Sequence, residues 1–137
     1  MALIEWSDSL SVEDEELDAQ HKRLVSLLNN LHESMRAGQG KAVLGTTLNE
    51  LIDYTAQHFQ SEEALCEQAG YPDLDKHREE HRKLVNQVSE LRGKFEDGSL
   101  LLSVEVLQFL KDWVTEHITH SDSRYTSYIK RWRFANS

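Results

Sequence analysis

The sequence holds a single cysteine, Cys66, and a single proline, Pro72. An internal disulfide is therefore impossible, and a reducing cytoplasm is the expected location. With one proline and six glycines, few positions can break a helix. No apolar run is long enough to span a bilayer. The first residues, MALIEWSDSL, carry neither a basic n-region nor an apolar h-region, so no signal peptide is expected. Basic residues are outnumbered 15 to 24 by acidic ones, giving a formal net charge of −9. Such a surface repels phosphate backbones and anionic lipid, so neither nucleic acid nor a membrane is expected as a partner.

Histidine, in contrast, is abundant, with seven in 137 residues. The breakers gather at Gly38 and Gly40, at Gly70-Tyr71-Pro72 and at Asp97-Gly98. They leave an irregular N-terminal arm, 1–16, and helix-length segments at about 17–37, 41–69, 74–96 and 103–133. Asp73 and Ser103 are candidate N-caps, and Gly70 is a candidate helix stop. Each segment carries a seam at three- and four-residue steps, such as Leu17, His21, Leu24, Leu28, Leu31 and Met35 in the first. Short connections between such segments predict an all-α, up-down-up-down antiparallel four-helix bundle, a single domain spanning 1–137.

Six seam positions are polar: His21, His58, Glu62, His77, His81 and His117. One buried imidazole is an ordinary core histidine with a partner, but six on four helices need a common reason. His21, His77 and His81 lie near the starts of the first and third helices. His58, Glu62 and His117 lie towards the ends of the second and fourth. In an antiparallel bundle all six converge at one end of the core. Imidazole with carboxylate suits iron, zinc, copper or nickel, and five histidines exceed the needs of one tetrahedral zinc. With Asp122 added, five nitrogens and two shared carboxylates leave one position open on a pair of six-coordinate ions joined by one oxygen bridge.

The segments DAQHKRL around His21, HFQSE at 58–62, HREEH at 77–81 and HITHSD at 117–122 resemble the hemerythrins, specifically the bacterial single-domain bacteriohemerythrins. The resemblance covers essentially the whole chain, including Trp6. It implies a four-helix bundle with two non-haem iron ions, joined by an oxo or hydroxo bridge, that binds dioxygen reversibly for storage, transport or delivery. It further implies that His77, His81 and His117 hold one iron and His21 and His58 the other, with Glu62 and Asp122 bridging. Leu24, Phe59, Trp113 and Ile118 match oxygen-pocket positions. His120 also matches one and is a departure there, since aliphatic residues are common at that place. The partners implied are dioxygen and an oxygen-using enzyme, with the chain itself a monomer.

Rival readings are weaker. HREEH fits the inverted zincin pattern with Glu80 as general base, but that leaves five of the other site residues without a purpose. Ferritin-like di-iron oxidases use two E-x-x-H pairs, and no histidine here has a glutamate three residues before it. A di-iron enzyme acting on peroxide or nitric oxide, and an oxygen or redox sensor, are the alternatives to a non-enzymatic carrier.

Four residues or stretches stand outside this set. His32 reads as a solvated or flanking histidine and Cys66 as a buried inert thiol. VEDEELD reads as a solvated helix start. RYTSYIKRWRF reads as a continuation of the fourth helix that packs Tyr125, Tyr128 and Trp132 against the arm or a partner. Lastly, Asp122 falls about 140° from His117 on a regular helix, whereas one extra residue in the turn brings it to about 40°. The spacing therefore predicts a π-type or distorted turn between them.

Overall fold

The computed structural model describes residues 4–38, 40–98 and 104–136, apart from the side chains of 104–105 and 120–123. The candidate cap Ser103 and the side chains of His120 and Asp122 therefore lie outside the described residues. The described residues are helical, with no strand among them. A short 3-10 turn, Asp8–Leu10, precedes α1 (Glu15–Arg36), α2 (Lys41–Gln68), α3 (Leu74–Glu96) and α4 (Val104–Glu116). A π turn, His117–Ser121, and a 3-10 turn, Asp122–Tyr125, then lead into α5 (Thr126–Ala135). No helix among the described residues is long and apolar enough to cross a membrane.

Local chemistry sets the helix ends. Asp14 caps α1, its carboxylate accepting from Leu17 N, and Glu15, Glu16 and Asp18 place further negative charge at the helix N-terminus. α2 ends in a Schellman turn. Tyr71 N donates to Cys66 O at 3.0 Å and Gly70 N to Glu67 O at 3.2 Å. Gly70 takes the left-handed conformation, φ +72°, that the motif requires. Asp73 sits at the N-cap of α3, yet its side chain makes no capping hydrogen bond.

The seams become the core. Leu17, Leu24, Leu28 and Leu31 of α1 are buried, as are Leu48, Leu51 and Leu65 of α2, Val88 and Phe95 of α3, and Leu110 and Trp113 of α4. α1 packs on α2 and α4, and α2 on α3. At the start of α1, Gln20 Nε2 donates to Ser61 Oγ near the end of α2, 3.1 Å away. At the start of α2, Lys41 Nζ donates to the carbonyl of Glu96, the last residue of α3.

One expectation is corrected and one is extended. VEDEELD is not simply a solvated helix start. Asp14 is buried, and its two oxygens take the Arg133 guanidinium at 2.8 and 3.1 Å, tying α5 to the head of α1. Tyr125, expected to pack, is fully buried and in addition places its hydroxyl on Glu62. Cys66 is buried and free of disulfides, and His32 is half-buried on the flank of α1.

Candidate metal centre

His58 and Glu62 stand four residues apart on α2, and His77 and His81 four apart on α3, so each pair shares one helix face. His21 on α1 and His117 at the start of the π turn complete the ring. All six side chains are buried. Their donor atoms form two groups that share Glu62: His21, His58 and Glu62, and Glu62, His77, His81 and His117. Within each group the atoms lie within 4.8 Å of one another.

The carboxylate of Glu62 is divided between the groups. Oε1 lies 2.7 Å from His77 Nε2 and 3.1 Å from His81 Nε2. Oε2 lies 3.3 Å from His21 Nε2 and 3.1 Å from His58 Nε2. Burial pushes the Glu62 carboxyl up, but the imidazoles of His21, His58, His77 and His81 outweigh it and hold the group well below the usual range. Glu62 is thus an anion in the middle of five imidazoles.

Neighbours outside the ring fix how two of those imidazoles present their nitrogens. His58 Nδ1 donates to Gln20 Oε1 at 2.6 Å, and the Gln20 amide is oriented by its own donation to Ser61. His81 Nδ1 donates to Glu63 Oε2 at 2.9 Å, while Arg78 Nε holds the other Glu63 oxygen at 3.3 Å. Those two rings stabilise the Glu62 anion only when Nε2 is protonated as well; a neutral ring, its one proton on Nδ1, presents an Nε2 lone pair to a Glu62 oxygen 3.1 Å away. His58 Nε2 is buried and makes no hydrogen bond there. Two acceptors so close repel unless a proton or a metal ion sits between them. The donor set therefore fits metal: imidazole nitrogens from three helices and the π turn, one ionised carboxylate between them, and two Nδ1 atoms anchored from behind.

Of the sequence-predicted pocket residues, Leu24, Phe59, Trp113 and Ile118 are apolar core, and the side chain of His120 lies outside the described residues. Phe59 stacks on His81, with centroids 3.8 Å apart and planes within 2°, and meets His117 edge-on at 5.3 Å. Trp113 packs edge-on against Phe59 at 6.1 Å, while Leu24 and Ile118 are buried. Trp113 and His117 also line a surface groove of about 360 Å³ with Glu80, Lys83, Leu84, Gln87 and Glu116.

The π turn falls between His117 and Asp122, where the five-residue spacing requires an extra residue. Thr119 Oγ1 donates back to the Thr115 carbonyl at 2.9 Å within it. Three residues around the site were not read as part of it in the sequence. Gln20, Glu63 and Tyr125 each touch a ring member, and each stands beside or one turn from a candidate ligand, which is where orienting groups arise.

Comparison with known proteins gives concordant matches. A family model described as "Hemerythrin HHE cation binding domain" matches residues 12–129. The chain is 36% identical over 130 residues to a bacteriohemerythrin of Stenotrophomonas maltophilia (strain R551-3), covering 95% of this chain and 84% of that protein. A bacteriohemerythrin of Pseudomonas aeruginosa (strain LESB58) is 35% identical over the same shares of each chain. A crystal structure of wild-type hemerythrin superposes with a TM-score of 0.87 at 33% identity, covering 93% of this chain and 98% of that one.

Proposed function

The chain belongs to the hemerythrin family, and from that premise we propose that its buried cluster holds two non-haem irons and binds dioxygen reversibly, for storage, transport or delivery. The observation that carries this reading is the division of Glu62, whose two oxygens face two separate imidazole sets. A single ion needs no such division; a bridged pair does. In this reading His77, His81 and His117 would hold one iron and His21 and His58 the other, Glu62 and Asp122 would be shared between them, and an oxo or hydroxo group would complete the pair. The surrounding architecture is an up-down-up-down antiparallel four-helix bundle in one domain over 1–137. The Gln20–Ser61 and Lys41–Glu96 bonds support it by joining helix starts to helix ends.

A ferrous pair, when bound, supplies the two electrons that dioxygen takes up reversibly. The chain's own residues do the rest. Gln20 and Glu63 keep the Nε2 lone pairs of His58 and His81 aimed inward. Tyr125 O–H donates to Glu62 Oε2 at 3.1 Å and fixes that carboxylate's plane. Phe59, Leu24, Trp113 and Ile118 pack apolar side chains around the centre and confine solvent to the groove beside His117, and limited proton supply is what separates a carrier from an oxidase. This favours a binding protein over an enzyme. The proposed setting is a cytoplasmic monomer that hands oxygen to an oxygen-using enzyme.

Reconstitution with ferrous iron under anaerobic conditions tests the reading. Metal analysis is expected to give about two irons per chain, rather than one zinc. Admitting and removing air is expected to raise and abolish a visible charge-transfer band repeatedly. Glu62→Ala and His77→Ala are expected to lose iron. Irreversible oxidation on the first cycle, or iron loading that survives both substitutions, overturns it.

A further inference from the structure

We propose that Tyr125, Tyr71 and Tyr128 form an electron relay from the metal centre to the protein surface, through which small one-electron donors of the phenol or ascorbate class reduce the centre when a peroxide oxidises it. The relay rests on the di-iron reading. Its geometry is independent of how dioxygen binds.

Tyr125 is fully buried, and its hydroxyl reaches Glu62 Oε2, the atom shared with His21 and His58. Phenylalanine would fill the same core volume, so packing alone gives no reason for a phenol there. The Tyr71 ring meets Tyr125 edge-on, with centroids 6.3 Å apart and planes at 88°. Tyr128 meets Tyr71 at 5.4 Å and 62°, and is half-buried. Electron tunnelling falls exponentially with edge separation, and rings in contact make each step short. Tyr71 also borders a surface cleft with Asp73, Lys76, Glu80 and Arg124, where a phenolic proton can reach water.

Hydrogen peroxide takes up two electrons and two protons to give two waters as its O–O bond breaks; the protons come from solvent at the groove that His117 lines, and the electrons come one at a time through the relay. With both irons already ferric, the nearest phenol is Tyr125. One electron leaves Tyr125 for the centre, and its proton moves along the hydrogen bond to Glu62 Oε2. An electron from Tyr71 and the returning proton restore Tyr125. Tyr71 loses its proton to solvent and is restored from Tyr128, which the external donor reduces. Two donors, each giving one electron and one proton, are oxidised to radicals per peroxide consumed.

Freeze-quenched electron paramagnetic resonance of the iron-loaded protein after peroxide addition tests this, with iron content and the air-dependent band measured on the same sample. A tyrosyl signal is expected, lost in Tyr125→Phe and longer-lived in Tyr71→Phe. Peptide mass spectrometry is expected to find oxidation concentrated at Tyr128, shifting inward in Tyr71→Phe. A loaded, oxygen-cycling protein that gives no tyrosyl signal overturns the relay and leaves the carrier reading intact. So does a tryptophan radical at Trp113 that persists in Tyr125→Phe. A chain that fails to load iron overturns both.

Discussion

Gln20 Oε1 lies 2.6 Å from His58 Nδ1, a short hydrogen bond in which only the imidazole can donate. It sets the tautomer of His58 from outside the metal cluster, so the Nε2 lone pair points at the site without rearrangement. Gln20→Leu removes that acceptor at similar volume. Iron affinity is expected to fall by about 10- to 100-fold, read by competition with a chelator. An unchanged competition curve shows that the bond does not orient the ligand.

Glu63 plays the matching part for His81, held in turn by Arg78. Glu63→Gln keeps an oxygen acceptor for Nδ1 and removes only the charge, whereas Glu63→Ala removes both. The alanine variant is expected to lose iron faster to a chelator by about 10-fold or more, with the glutamine variant close to the parent. Equal loss in both variants assigns the effect to charge rather than orientation.

The candidate ligands were legible because a histidine on an apolar seam has no cheap structural explanation, and periodicity alone brings His21, His58, Glu62, His77, His81 and His117 to one place. The π turn was legible because His117 and Asp122 stand five apart. The orienting groups were not. Gln20 and Glu63 sit at partly exposed helix positions where any polar residue is ordinary. Tyr125 was read as packing because its role depends on the phase of the chain after the π and 3-10 turns, which no 100° periodicity tracks. Asp14 was misread for a related reason. Its partner, Arg133, is 119 residues away in sequence.

Gly70 isolates a backbone effect. A Cβ there meets nothing within 4 Å, so substitution causes no clash with neighbours. Its φ of +72° is nevertheless unfavourable for an L side chain, and the Schellman bonds of Cys66 and Glu67 depend on it. Gly70→Ala is expected to destabilise the protein by about 1 kcal/mol, seen as a lower midpoint in urea with an unchanged slope. Gly70→Asn, which tolerates the left-handed region better, is expected to lie between the two.

The Asp14–Arg133 clamp carries an acid dependence whose sign follows from Asp14. Burial raises its pKa, but the hydrogen bonds from Arg133 and from Leu17 N outweigh burial, and the carboxyl is held below its ordinary value of 3.8. Between the folded and unfolded values the unfolded chain binds more protons, so stability falls as pH falls. The contribution is fully present above the unfolded pKa and is lost as pH drops through the folded one. Asp14→Asn can still cap α1 but cannot pair as an anion with Arg133. The stability gap between parent and variant, by urea titration, is expected to be about 1 kcal/mol near neutrality, given that Arg133 is partly exposed. It is expected to close as pH is lowered from the ordinary carboxylate value of 3.8 through the depressed value of the folded state. A gap that persists once Asp14 is protonated places the stabilisation in the cap rather than in the ion pair.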